Sequence, residues 1–221
     1  STISKFLNQN ILIYGGPGAG KTTLMKSICK SFLNNRNVGD FTCPIVIRFR
    51  ELDYNSLTKA YGDDLNLYRI LLHVFGIIVK FPDESATKLF NDNSQLIRLT
   101  VLEFLEKTKV LLIFDGFDEI PIVDLKLSIE RDFQTIALSM KESRFILTSR
   151  NGDFRLKLEN THTFEICPLR DDQILKLTSK WLNNKTQSQD LYSKIKASPY
   201  YDTTLRPLTL SHLCAIYERR K

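Results

Sequence analysis

The stretch ILIYGGPGAGKTTL at 11–24 constrains the fold more than any other part of the chain. Four apolar and aromatic residues with strand character run into GGPGAGKT, which meets the spacing G-x-x-x-x-G-K-T. An amphipathic helix then opens near Gly20, with Leu24, Met25, Ile28, Cys29 and Phe32 at helical spacing. Such a loop can wrap an anion in backbone N–H groups, because glycine leaves no Cβ where the chain must curl closely. Four of the nine glycines, Gly15, Gly16, Gly18 and Gly20, fall here, interleaved with Pro17 and Ala19. The helix that follows turns its positive end toward the bound group, Lys21 adds a point charge, and the Thr22 hydroxyl can ligate Mg²⁺, with Thr23 beside it. The strand before and the helix after distinguish this segment from a merely glycine-rich turn.

A second segment, LLIFDGFDEI at 111–120, carries a continuously apolar strand into three carboxylates. A buried strand tipped by Asp115 meets a desolvation cost that a divalent cation would offset, so Asp115 is the expected Mg²⁺ partner at the strand end beside the phosphate loop. Asp118 and Glu119 follow at a spacing suited to orienting or deprotonating an attacking water. Phe117 is expected to anchor the turn in the core. The alternative is an exposed acidic loop after an ordinary strand. A third element, FILTSR at 145–150, is a strand ending on a polar residue and then Arg150, whose planar guanidinium suits a multi-oxygen phosphate.

Short apolar runs alternate with helical patterns, which predicts an α/β domain with a mainly parallel five-stranded sheet. The strands are expected at 11–14, 44–49, 110–114, 144–149 and 162–166. A helical insertion is expected over 51–108, with one buried helix over 65–81 and another over 94–107 that shares Ile97, Val101, Phe104 and Leu105 on one face. Beyond Pro168 the pattern is helical only: Asp171 or Asp172 would cap a helix carrying Ile174, Leu177, Trp181 and Leu182, and Leu210, Leu213, Cys214 and Tyr217 form a later stripe. The expected division is therefore 1–168 and 169–221.

The run at 65–81 is broken by Arg69, His73 and Lys80 and falls short of a membrane span. Four widely spaced cysteines form no ligand cluster, which predicts reduced thiols and a cytoplasmic setting. The net charge is +6, but the basic residues are scattered, so a solvated surface is expected and nucleic acid is not indicated. His73, His162 and His212 carry no evident chemistry.

Together, IYGGPGAGKTTL, LLIFDGFDEI, FILTSR, FEICPLRDDQI at 164–174 and RPLTLSHLC at 206–214 resemble the NACHT branch of the STAND NTPases, relatives of the AAA+ ATPases. The resemblance implies a P-loop NTPase followed by the start of a helical lid. It also implies an ATP/ADP switch that opens for self-association in the ATP state, with sensor and effector regions outside this chain. By the same analogy Pro207 falls in the lid and packs near the nucleotide's base and sugar. Its bland reading, a helix-initiating proline, is compatible with that role. Asn151 stands where the family usually shows proline, Leu205 where it often shows glycine, and the family's winged-helix region would lie beyond Lys221. A slow switch ATPase of immune or defence signalling is the leading expectation. The alternatives are a motor ATPase acting on a polymer, and a nucleotide-binding scaffold without turnover.

Overall fold

The computed structural model describes residues 6–34, 40–77 and 83–219. The expected helix over 65–81 is realised as α3 (Leu67–Val74), which ends at Gly76 with φ of +64°, and residues 78–81 lie outside the described residues.

The chain alternates as the apolar pattern predicts. In order it forms β1 (Asn10–Tyr14), α1 (Lys21–Leu33), β2 (Pro44–Arg48), α2 (Tyr54–Tyr61), α3, α4 (Glu84–Asp92), α5 (Ser94–Thr108), β3 (Leu111–Asp115), α6 (Val123–Ser139), β4 (Arg144–Ser149) and β5 (Thr161–Glu165). There follow α7 (Asp171–Leu182), α8 (Lys185–Lys196), α9 (Tyr201–Thr204) and α10 (Pro207–Arg219). The chain divides into two compact units. One comprises Ser1–Tyr14 and Met25–Phe164, the other Gly15–Leu24 and Glu165–Lys221.

In the first unit the sheet order is β2-β3-β4-β1-β5, and the β2–β3, β3–β4 and β4–β1 pairs are parallel. The acidic strand β3 is therefore not the direct neighbour of β1, because β4 lies between them. Side chains alternate across the pleat. Leu12, Ile47, Leu112, Phe114, Phe145 and Leu147 join α2, α3, α5 and α6 in one core, while Ile11, Ile13, Leu111, Ile113 and Ile146 are buried on the opposite face. A sheet covered on both faces explains why β3 reads as an unbroken apolar run.

Helix α5 takes the expected place with Ile97, Val101 and Leu105 buried, but Phe104 stays partly exposed at 36%, its ring 5.4 Å from that of Phe75. Its Glu106 carboxylate reaches out to accept the N–H groups of Lys141, Glu142 and Ser143, fixing the turn into β4.

The second unit has its own core of Ile174, Leu191, Ile195, Leu210 and Cys214, drawn from α7, α8 and α10. Burial pushes the Cys214 thiol up to about 11, so it behaves as a small apolar side chain. One sequence expectation is corrected here. The N-cap of α7 is Arg170, whose N–H donates to Gln173 Oε1 at 2.9 Å, and Asp171 and Asp172 occupy the first turn instead. Asp171 is drawn away by the Tyr201 hydroxyl and by Lys196, while Asp172 pairs with the Arg170 guanidinium. Helix α7 carries Ile174, Leu177, Trp181 and Leu182 as expected, with Trp181 45% exposed.

Candidate functional site

The phosphate loop belongs to the second unit, and its local geometry follows from its glycines. Gly18 and Gly20 have φ of +72° and +100°, a region that residues with a Cβ avoid. At Gly18 the space is also closed, because a Cβ there would stand 2.9 Å from the Cβ of Leu208. The Leu208 N–H donates to the Gly18 carbonyl at 3.3 Å, so the first turn of α10 is hydrogen-bonded to the loop. Pro207 is the first residue of α10, and its Cγ lies 4.0 Å from where a Gly20 Cβ would be. The helix-initiating role and the place beside the loop therefore hold together.

Lys21 opens α1 and its ammonium donates to the Gly15 carbonyl at 2.5 Å, with Gly16 O at 3.5 Å, so the charge is held over the loop. Thr22 and Thr23 follow in the first turn of α1, and Gly16, Pro17 and Ala19 complete the loop, closed by the Ala19 N–H donating to Gly16 O. Sequence reasoning missed Arg206, whose guanidinium carbon lies 4.0 Å from the position of a Gly16 Cβ. Its adjacency to Pro207 was the only signal.

In the first unit, the carboxyl end of β3 is built around Asp115, which is 5% exposed. Thr148 on the neighbouring β4 donates its hydroxyl to Asp115 Oδ1 at 2.8 Å and accepts the Gly116 N–H at 2.8 Å. Thr148 is fully buried and was not singled out in the sequence, although a polar residue inside an apolar strand was the available signal. One oxygen of Asp115 is thus fixed, and among the described residues no hydrogen bond engages the other.

Gly116 then turns the chain at φ of +81°, and a Cβ there would collide with the Glu119 carboxylate. Phe117 is fully buried and meets Phe49, Phe133 and Phe154 edge-on, as its expected anchoring role requires. The three residues Phe117–Glu119 form a short 3₁₀ turn.

The acidic pair separates into two environments. Asp118 is bound by Arg150 twice: the Arg150 Nε meets Oδ2 at 2.7 Å and the Arg150 N–H donates to Oδ1 at 3.1 Å. The Asp118 side chain is only 5% exposed while that of Arg150 is 50% exposed, so one face of the guanidinium remains open. Glu119 makes no ion pair among the described residues. Its negative charge, after burial itself, raises the pKa of the Tyr54 hydroxyl, which is buried and has no hydrogen-bond partner among the described residues.

The loop after Arg150 is fastened independently. The buried Glu130 carboxylate accepts the N–H groups of Arg155 and Leu156, Tyr14 donates to Phe154 O at 3.0 Å, and Lys126 pairs with Asp153 at 2.6 Å. These contacts hold the segment from Asp153 to Leu156 in place.

The chemistry of these donors fits a magnesium nucleotide. Among the described residues no three His, Cys, Asp or Glu side chains gather into a metal cage. Mg²⁺ does not need one, since it keeps several waters and takes one or two protein oxygens beside the substrate phosphates. The second carboxylate oxygen of Asp115, which no hydrogen bond engages among the described residues, suits that demand, as does the loop that a Cβ would obstruct. No helix among the described residues is long and apolar enough to cross a membrane.

Comparison with known proteins agrees with this reading of the fold. The family model described as the NACHT domain matches residues 9–185. No curated protein matches. Among solved structures, the chain is similar to a STAND protein with a tetratricopeptide repeat sensor from Pyrococcus horikoshii, at 20% identity and a TM-score of 0.54, covering 100% of this chain and 31% of that one. It is similar to Drosophila ORC bound to DNA at 14% identity and a TM-score of 0.56, covering 99% and 53%. It is also similar to the Aeropyrum pernix ORC1 protein in complex with DNA, at 14% identity and a TM-score of 0.57, covering 100% and 59%. The chain therefore spans between about a third and three fifths of the length of these neighbours, and at such identities the likeness speaks for the fold alone.

Proposed function

The chain belongs to the NACHT family of P-loop NTPases, and on that premise we propose that it is a Mg²⁺-dependent ATP/ADP switch that hydrolyses ATP slowly. The observation that carries the proposal is the loop at 15–22, whose positive-φ glycines and overhanging Lys21 ammonium suit a phosphate chain and little else. Backbone N–H groups of the loop glycines bind the phosphates, Lys21 neutralises them, and Thr22 and Asp115 are the proposed oxygen ligands of the metal. Bound Mg²⁺ supplies charge neutralisation on the β- and γ-oxygens. Thr148 holds the Asp115 carboxylate in one rotamer.

The two acidic residues take different roles. Glu119 polarises the attacking water. Asp118, already committed to Arg150, orients that guanidinium toward a γ-phosphate rather than moving a proton itself. Pro207 and the first turn of α10 lie against the loop within one unit, which supports a lid that responds to the nucleotide. A switch works through unequal affinity of two states rather than through turnover. Self-association in the ATP state, sensor and effector regions elsewhere in a longer protein, a cytoplasmic setting and a part in immune or defence signalling belong to this same proposal.

Fluorescent ADP binding and single-turnover hydrolysis test it. Lys21→Ala should abolish binding, and Glu119→Gln should retain it while slowing hydrolysis by about 10²-fold or more, the scale of a lost general base. Unchanged ADP affinity in Lys21→Ala would end the phosphate assignment. Brisk turnover stimulated by a polymer would replace the switch with a motor, and no hydrolysis at all would leave a scaffold.

A further inference from the structure

A cavity of about 540 Å³ opens between α3, α5 and α6 in the first unit, and nothing in the nucleotide reading uses it. Its size falls within the range of about 300–1,000 Å³ typical of small-ligand sites. Two charges of opposite sign line it, Arg98 from α5 and Asp132 from α6. They feel each other's field, yet no ion pair joins them among the described residues. Asp132 is held in place by the first N–H of α3, which donates from Leu67 to Oδ2 at 3.0 Å. Burial pushes its carboxyl up to about 6, against the opposing pull of that N–H and of Arg98.

Arg98 lies over the Tyr68 ring with its guanidinium carbon 5.8 Å from the centroid. Tyr68 itself is 3% exposed and lines the cavity, with the Thr135 side chain as the polar neighbour of its hydroxyl. Leu99 and Leu102 supply an apolar wall, and Ser94 in the first turn of α5 adds a hydroxyl.

We propose that this cavity is a binding site for a zwitterion of the amino-acid or short-peptide class. The ammonium of the ligand meets the Asp132 carboxylate, its carboxylate meets the Arg98 guanidinium, and an apolar side chain lies along Leu99 and Leu102. Two opposite charges that line one cavity without an ion pair between them among the described residues leave each open to a partner, and a molecule carrying both complements satisfies both. A bare anion would leave Asp132 unanswered, and a simple amine would leave Arg98 so. A free amino acid and a peptide terminus share this chemistry, and the size of the probe separates them.

The test uses isothermal calorimetry of the 221-residue chain with L-leucine, L-phenylalanine, Leu-Leu and Leu-Phe, each beside its N-acetylated and C-amidated form. At least one zwitterion should bind, and blocking either end should weaken it about tenfold or more, the effect expected when one charged partner is lost. Preference for the single residues would identify a free amino acid, and preference for the dipeptides a peptide. Asp132→Asn and Arg98→Gln should each lose about tenfold in affinity while keeping the parent's circular dichroism and ADP binding. The proposal is overturned if no zwitterion gives heat up to about 10 mM, an affinity near the weakest useful range. It is also overturned if blocked and free forms bind alike, or if the folded variants bind like the parent.

Discussion

At the residue scale, the buried Thr148 hydroxyl is the piece on which the tip of β3 depends. It donates to Asp115 and accepts from Gly116, so replacing it with the isosteric valine leaves both partners unsatisfied in a site that is closed to water. Thr148→Val should therefore cost about 2–4 kcal/mol in chemical denaturation, the sum expected for two buried polar groups losing their partner. A loss below about 0.5 kcal/mol, the ordinary surface range, would show that the hydroxyl is not essential. A pair of glycines isolates a second residue-level effect. Gly18 and Gly152 both have positive φ, but a Cβ on Gly152 meets nothing within 4 Å whereas one on Gly18 runs into Leu208. Gly152→Ala should cost about 1 kcal/mol from backbone strain alone. Gly18→Ala should cost more, and should also weaken ADP binding, because the loop must shift away from α10. Equal losses in the two variants would show that Leu208 yields without cost.

At the scale of elements, α6 carries a group that works against the fold. The folded carboxyl of Asp132 titrates near 6, above its unfolded value, so its contribution favours folding only while it is protonated and is lost as pH rises toward and through about 6. At neutral pH the charged form costs roughly 2–3 kcal/mol at about 1.4 kcal/mol per unit. Asp132→Asn keeps an acceptor for the Leu67 N–H and removes the charge, so it should be more stable than the parent at pH 7. That advantage should shrink steadily as pH falls toward 4 in thermal melts, and an advantage independent of pH would contradict the titration. The same helix shows where sequence reading stops. The strands were legible because a sheet buried on both faces demands unbroken apolar runs, as in β3. Helix α6 was not singled out: its core face includes the charged Glu130 beside Leu125, Ile129 and Phe133, while Val123, Leu127 and Leu138 stand exposed, so its apolar period is blurred. Glu130 is buried to hold the loop after β4, and that tertiary demand leaves no local signature. Likewise Lys21 and Asp115 stood out by motif, whereas Thr148 becomes meaningful only once β4 is known to lie beside β3.

At the scale of the whole molecule, the chain leaves the sheet unit after Tyr14 and returns to it at Met25, so the phosphate loop is counted with residues 165–221 rather than with the strand that leads into it. The loop touches the helical unit through the bond from Leu208 N–H to Gly18 O and the approach of Pro207 and Leu208 to Gly20 and Gly18, so a ligand held there is expected to be felt in α10. Binding to the folded state alone stabilises it by about 2.7 kcal/mol at a ligand concentration 100 times Kd, and local protection rises most where opening would break the site. Hydrogen exchange followed by mass spectrometry should then show, on adding Mg²⁺ and ADP, slower exchange over 15–24 together with the first turn of α10. Amides of α8, whose core contacts are with α7 and α10 rather than the loop, should change less. The effect should vanish in Lys21→Ala. Protection of the loop without any change in α10 would mean that the nucleotide is held but not read by the helical unit, and the switch would have to be sought in another element.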